Sequence, residues 1–152
     1  MKCLKPLLLV MVLALLASCA GFKPGISDDD TMTIIENLNS GQAEVLIDSS
    51  ALPFIFDSEI LASESQLRLL WTGLIKAGYL LDAPVIQQQR PVQAGDAALF
   101  SESWEIKTYF KNILSEEDVF VEINASGRKV YMILRSEKKG RVSIMAWKGV
   151  KA

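Results

Sequence analysis

The strongest constraint on the fold lies in the last third of the chain. There "DVFVEIN", "KVYMILR" and "RVSIMAWK" follow one another with only "ASGR" and "SEKKG" between them. Each run alternates apolar residues at period two, as a strand does. The links are turn-forming and short, which restricts them to antiparallel hairpins. A three-stranded meander is therefore expected. One of its faces would carry Val119, Val121, Ile123, Val130, Met132, Leu134, Val142, Ile144 and Ala146. The other would carry Phe120, Tyr131, Ile133, Met145 and Trp147. Both faces are too apolar for water: helices should cover one, while the other is covered in part or faces a pocket or partner.

The residues before the meander supply helices and short strands. Ser63 and Gln66 stand at capping-box spacing before Leu67, Leu70, Trp71, Leu74 and Ile75, which share one helical face, and Gly78 is a stop signal. An earlier helix is expected over 31–40, capped by Asp30, with Thr33 and Glu36 at capping-box spacing. A third runs from about Ser101 to Leu114, with Trp104 at its start and Ile106, Tyr109, Phe110 and Ile113 on its face. "AEVLID", 43–48, reads as a short strand, and Val85 to Gln89, bracketed by Pro84 and Pro91, as an edge strand. Pro53 argues against a central strand in "ALPFIFDSEIL", where Phe54, Phe56 and Ile60 would turn inward from an edge strand or tight loop.

These elements make an α+β fold, with helices and an edge strand laid on one side of a curved antiparallel sheet. The element order, and the segment "PFIFDSEIL…LRLLWTGLIKAG", resemble the nuclear-transport-factor-2-like, cone-shaped fold of ketosteroid isomerases and many small exported proteins. That resemblance implies a pocket between the concave sheet face and the helices. Candidate lining comes from Asp57 and Glu59, with Trp71, Tyr79, Tyr109 and Tyr131 as aromatic walls. A buried carboxylate there would have a raised pKa and suit a general base. The structural alternative is that the two acids flank a turn and the aromatics fill the core.

The start of the chain carries an address. Lys2 and Lys5 precede an apolar run from Leu7 to Ala17, which is shorter than the roughly 20 residues a bilayer span needs. A basic start, a short apolar core and small residues at its end read as an export signal. Leu16-Ala17-Ser18-Cys19 resembles the lipobox of bacterial lipoprotein precursors. The resemblance implies cleavage between Ser18 and Cys19, a diacylglycerol thioether on Cys19 and acylation (typically a palmitate) of the new amino terminus. One acyl chain binds a membrane only marginally and several hold firmly. The chain then divides into a signal peptide, 1–18, a lipidated flexible tether, 19–30, and one α+β domain, 31–152. Ala20, where an Asp would favour the inner membrane, implies the periplasmic face of the outer membrane, or the plasma-membrane exterior in an organism with one membrane.

Cleavage removes Cys3 along with Lys2 and Lys5, leaving 14 basic residues against 18 acidic ones. The sequence contains no histidine, and the one remaining cysteine carries lipid. Ser-His-Asp and Cys-His catalysis are excluded, as is a zinc or copper site built on nitrogen and sulfur. No nucleotide-binding or calcium-loop pattern occurs. Neither cofactor nor metal is expected, and no catalytic residue is assigned. Eight basic residues and one acid, Glu137, lie between Arg128 and Lys151. Arg128, Lys129, Arg135, Lys138, Lys139 and Arg141 form a candidate basic surface for anionic lipid, acidic glycan or a partner's acidic face, the alternative being solubilising charge on strand ends. Nucleic acid does not suit an exported acidic chain. The expected role is a non-enzymatic envelope lipoprotein binding a partner protein or a small apolar ligand. The alternatives are a carboxylate-dependent isomerase or hydrolase, and a structural accessory subunit of an envelope assembly complex.

Overall fold

The computed structural model describes residues 25–151. The signal peptide, the Ser18–Cys19 cleavage point and the lipid attachment at Cys19 lie outside the described residues. Helix α1 spans Asp28–Asn39 and α2 Ala43–Asp48. Strands β1, Ser50–Phe56, and β2, Glu59–Leu61, precede α3, Glu64–Lys76. Strand β3, Val85–Pro91, leads through a 3-10 turn into α4, Ala97–Phe100, and α5, Trp104–Asn112. The chain closes with β4, Val119–Ala125, β5, Arg128–Ser136, and β6, Val142–Lys151.

The fold is α+β, built on one six-stranded mixed sheet in the order β2-β1-β6-β5-β4-β3. The meander β4-β5-β6 forms as its alternation requires, and β3 is the edge strand beside β4. Two features differ from the sequence expectation. Strand β1 lies inside the sheet, parallel to β6, although it contains Pro53. The β1–β6 ladder is irregular between Ser50 and Ile55, so the N–H that proline lacks is not needed for pairing there. Helices also lie on both faces of the sheet rather than one. Helices α1, α2 and α3 cover a core that includes Phe54, Val121, Met132 and Ile144, whereas α4 and α5 cover Ile55, Phe120, Ile133 and Met145.

A bulge sets the two faces apart. Ile133 pairs with Ala146 and Leu134 with Ile144, so Met145 is an extra residue in β6. The slip reverses the expected sides of two residues. Ala146 joins the α5 face, and Trp147 turns to the α3 face, where its ring meets Trp71 edge-on at 5.5 Å between centroids.

The helices follow their caps. Ser63 and Gln66 form the reciprocal cap of α3 as expected. In α1 that role belongs to Ser27 and Asp30 rather than Thr33 and Glu36. The helix consequently begins at Asp28, and the acidic triplet assigned to the tether forms its first turn, where carboxylates favour the dipole. "AEVLID" is a helix, not a strand. After Gly41, at φ 74°, it packs Leu46 and Ile47 inward and leaves Val45 exposed. In α5, Ile106, Tyr109 and Phe110 are buried, whereas Ile113 and Trp104 are exposed because the helix starts at Trp104, capped by Ser103, and ends at Asn112. No helix among the described residues is long and apolar enough to cross a membrane.

Candidate functional site

A cleft of about 330 Å³ opens at one end of the sheet, on the α3 face. Three connections and the end of β6 converge on it. The two-residue turn between β1 and β2 presents Asp57 at φ 52°, a backbone region that Asp and Asn tolerate better than most residues. Tyr79 comes from the loop after α3. Gly78, at φ 69°, ends that helix, with N–H of Gly78 donating to Ile75 C=O and N–H of Tyr79 to Leu74 C=O. This is the pair of bonds of a Schellman terminus, and it sets the direction in which the chain leaves the helix. Asn39 then holds the same loop by two bonds to the backbone of Leu81, both 2.9 Å. The Ser126-Gly127 turn carries Arg128 and is tied to Asp82 through the Ser126 hydroxyl. Gly149, near the end of β6, completes the rim.

The floor is apolar: Trp147, fully buried, with Phe56 and Leu74 beside it. The polar groups above it are only partly matched. The Tyr79 hydroxyl is buried and meets no hydrogen-bond partner in good geometry, although polar groups of Trp147 and Arg128 stand close by. It approaches the backbone at Gly149 so closely that a Cβ there would stand 3.0 Å from its oxygen. Burial pushes this hydroxyl above the ordinary tyrosine pKa, against the opposing influence of nearby Trp147 and Arg128. Asp57 accepts one bond, from the Gly149 N–H at 3.2 Å. Burial raises its pKa, the Gly149 bond and the charge of Lys148 oppose the rise, and Glu59 adds to it. Arg128 is exposed and lies over the Tyr79 ring at 4.8 Å. Among the described residues, neither Asp57 nor Arg128 is in an ion pair.

The six residues expected to line one pocket are thus divided. Asp57 and Tyr79 share the cleft, and exposed Glu59 stands beside it. Trp71 belongs to the core beneath, where its Nε1 donates to the Ser50 hydroxyl at 3.0 Å. Tyr109 and Tyr131 lie on the opposite face of the sheet, which the strand alternation separates from the cleft. The Tyr109 hydroxyl donates to Pro53 C=O at 2.6 Å and is a structural tie between α5 and β1. Tyr131 packs against Phe120.

The expected basic surface is also divided, because β5 carries its charges to opposite ends of the sheet. Arg128 and Lys129 stand at the cleft end, with Lys129 paired to Glu122 at 2.7 Å. Lys138, Lys139 and Arg141 stand exposed around the β5–β6 turn. Arg135 is not a free surface charge. It grips the buried carboxylate of Asp118 through Nε and a terminal nitrogen, both at 2.7 Å.

A larger groove of about 920 Å³ runs between the end of β3 and α5. Its walls include Lys107, already paired with Glu102, and no buried unmatched polar atom faces it. No group of three or more potential metal ligands is gathered among the described residues. Phe56, Leu74, Trp147 and Gly149 were not legible as cleft residues. Gly149 carried one signal, because a glycine inside a strand often marks a close backbone approach. No protein-family model matches the chain, and no curated protein sequence does either.

Proposed function

We propose that this chain is a lipid-anchored envelope lipoprotein whose α+β domain is a non-catalytic binding module, displayed at the periplasmic face of the outer membrane. The anchor rests on Leu16-Ala17-Ser18-Cys19. The binding role rests on one observation: a cleft in which a buried hydroxyl has no hydrogen-bond partner of good geometry, and a carboxylate and a guanidinium have no ion-pair partner among the described residues. Buried polar groups in folded proteins are nearly always paired, so an orphan in a cleft points to a ligand partner.

The position of the cleft supports the same reading. Gly25 packs against Ser136, at the far end of β5 from Arg128. Eight residues of strand separate the two ends, about 26 Å at roughly 3.3 Å per residue. Five residues lie between Cys19 and Gly25, a reach of at most about 22 Å. A domain tethered at that end would turn its cleft away from the membrane, toward solutes or partners in the aqueous compartment.

The enzymatic alternative draws on the nuclear-transport-factor-2-like resemblance and on Asp57 and Tyr79 sharing one cleft. Asp57 is bonded to a backbone N–H and not to Tyr79. The two therefore do not form the coupled acid–base pair that such chemistry would use, and the binding reading is preferred. Phase partitioning in detergent tests the anchor. The parent protein should enter the detergent phase and incorporate labelled palmitate, and Cys19→Ala should do neither; an unlabelled parent that stays aqueous would defeat the lipoprotein reading. Purification from solubilised membranes tests the binding role against the assembly-subunit alternative, which requires a stoichiometric partner.

A further inference from the structure

The charges around the cleft restrict its occupant more narrowly than its apolar floor does. A wholly apolar ligand would cover Asp57 and Arg128 without pairing either, and desolvating an unpaired charge is unfavourable. A simple anion would meet Asp57, and a simple cation would meet Arg128. A ligand carrying both charges avoids each of these penalties. Tyr79 stands close to both: Arg128 lies over its ring at 4.8 Å, and its hydroxyl crowds Gly149, whose N–H donates to Asp57.

We propose that the cleft takes a small zwitterionic ligand of the amino-acid or dipeptide class. Its ammonium lies at Asp57, its carboxylate at Arg128, and its apolar side chain on Phe56, Leu74 and Trp147. The Tyr79 hydroxyl supplies a hydrogen bond between the two charged ends. The volume, about 330 Å³, sits at the small end of ligand pockets, about 300–1,000 Å³, which suits such a molecule better than a lipid. Lys148 does not compete for the ligand carboxylate, because its ammonium donates to Phe100 C=O at 2.7 Å, beside the opposite face of the sheet.

This inference rests on the small-ligand form of the binding reading, and the test separates the two. The detergent-solubilised full-length lipoprotein is titrated calorimetrically with four probes: leucyl-leucine, its N-acetyl derivative, its C-terminal amide, and the doubly blocked peptide. The free dipeptide should bind at least about tenfold more tightly than either singly blocked form, a ratio within reach of one charge-assisted contact. Asp57→Asn should abolish the preference for the free amine and leave the preference for the free carboxylate. Arg128→Met should do the reverse. Equal affinity for all four probes would overturn the zwitterion assignment while leaving a small-ligand site in place. No binding by any probe at millimolar concentration would overturn the assignment as well.

Discussion

The two ends of the sheet treat their enclosed carboxylates differently. At the end that carries Ser136, Asp118 is 1 % exposed and yet fully engaged. It takes two bonds from Arg135 and one from the Ser115 N–H at 2.8 Å, and Arg135 reaches on to Ile113 C=O. Asp96 is likewise buried: it receives both terminal nitrogens of Arg90 at 2.7 Å and the Gln93 N–H at 2.8 Å. Arg90 in turn lies over the Phe120 ring at 4.4 Å. At the cleft end, the corresponding groups Asp57, Tyr79 and Arg128 share one space without pairing. The contrast teaches how to separate structural charge from functional charge in one small domain. Groups that hold the fold together are saturated by it, and the groups proposed to meet a ligand are positioned by backbone turns and left without an ion pair.

Substitutions should therefore have opposite signs at the two ends. The largest effect belongs to Arg135→Met, which strands the buried Asp118 carboxylate and should cost about 3 kcal/mol in denaturant unfolding. Arg90→Met should follow at about 2 kcal/mol, because Asp96, at 4 % exposed, is slightly closer to water than Asp118. A neutral outcome at both positions would erase the distinction between the ends. Tyr79→Phe removes the orphaned hydroxyl and should raise stability by about 0.5–1 kcal/mol, since an unpaired buried polar group is a net penalty.

Asp57→Asn should have the smallest effect, and its pH dependence carries the information. Folding raises the Asp57 pKa, mainly through burial. The native state therefore binds more protons than the unfolded chain, and the wild type loses stability as pH climbs from 3.8 through the raised native value. The substitution removes this loss and keeps an acceptor for the Gly149 N–H. A slight gain in thermal midpoint is expected at pH 7, fading below about pH 3.8 as the wild-type carboxyl is protonated in both states. A gain that persisted unchanged into acid would mean that burial of the charge is not its source.

The parts of this fold that sequence reveals are those where local rules act alone. The meander followed from period-two alternation and short turns, and α3 followed from its Ser63–Gln66 cap. The bulge at Met145 was invisible because both faces of β6 are apolar, so a one-residue slip leaves no polar residue misplaced to betray it. "AEVLID" was ambiguous because six residues hold less than two helical turns, and three adjacent apolar residues fit either period. The parallel pairing of β1 with β6 joins segments about ninety residues apart, and no local pattern records it. In the cleft, Asp57 and Tyr79 were legible as a polar group and an aromatic near turns. Arg128 was legible only as surface charge, because the Ser126-Gly127 turn that brings it to Tyr79 reveals a hairpin and not its neighbours.

The claim that Asp57 and Tyr79 are held for a ligand, and not for the fold, is tested most directly by the unfolding free energy of the Asp57→Asn/Tyr79→Phe double variant at pH 7. The account predicts stability equal to or above that of the parent protein, with the native fold retained. A loss of more than about 1 kcal/mol would contradict it, because it would mark these groups as structural in the same sense as Arg135 and Asp118.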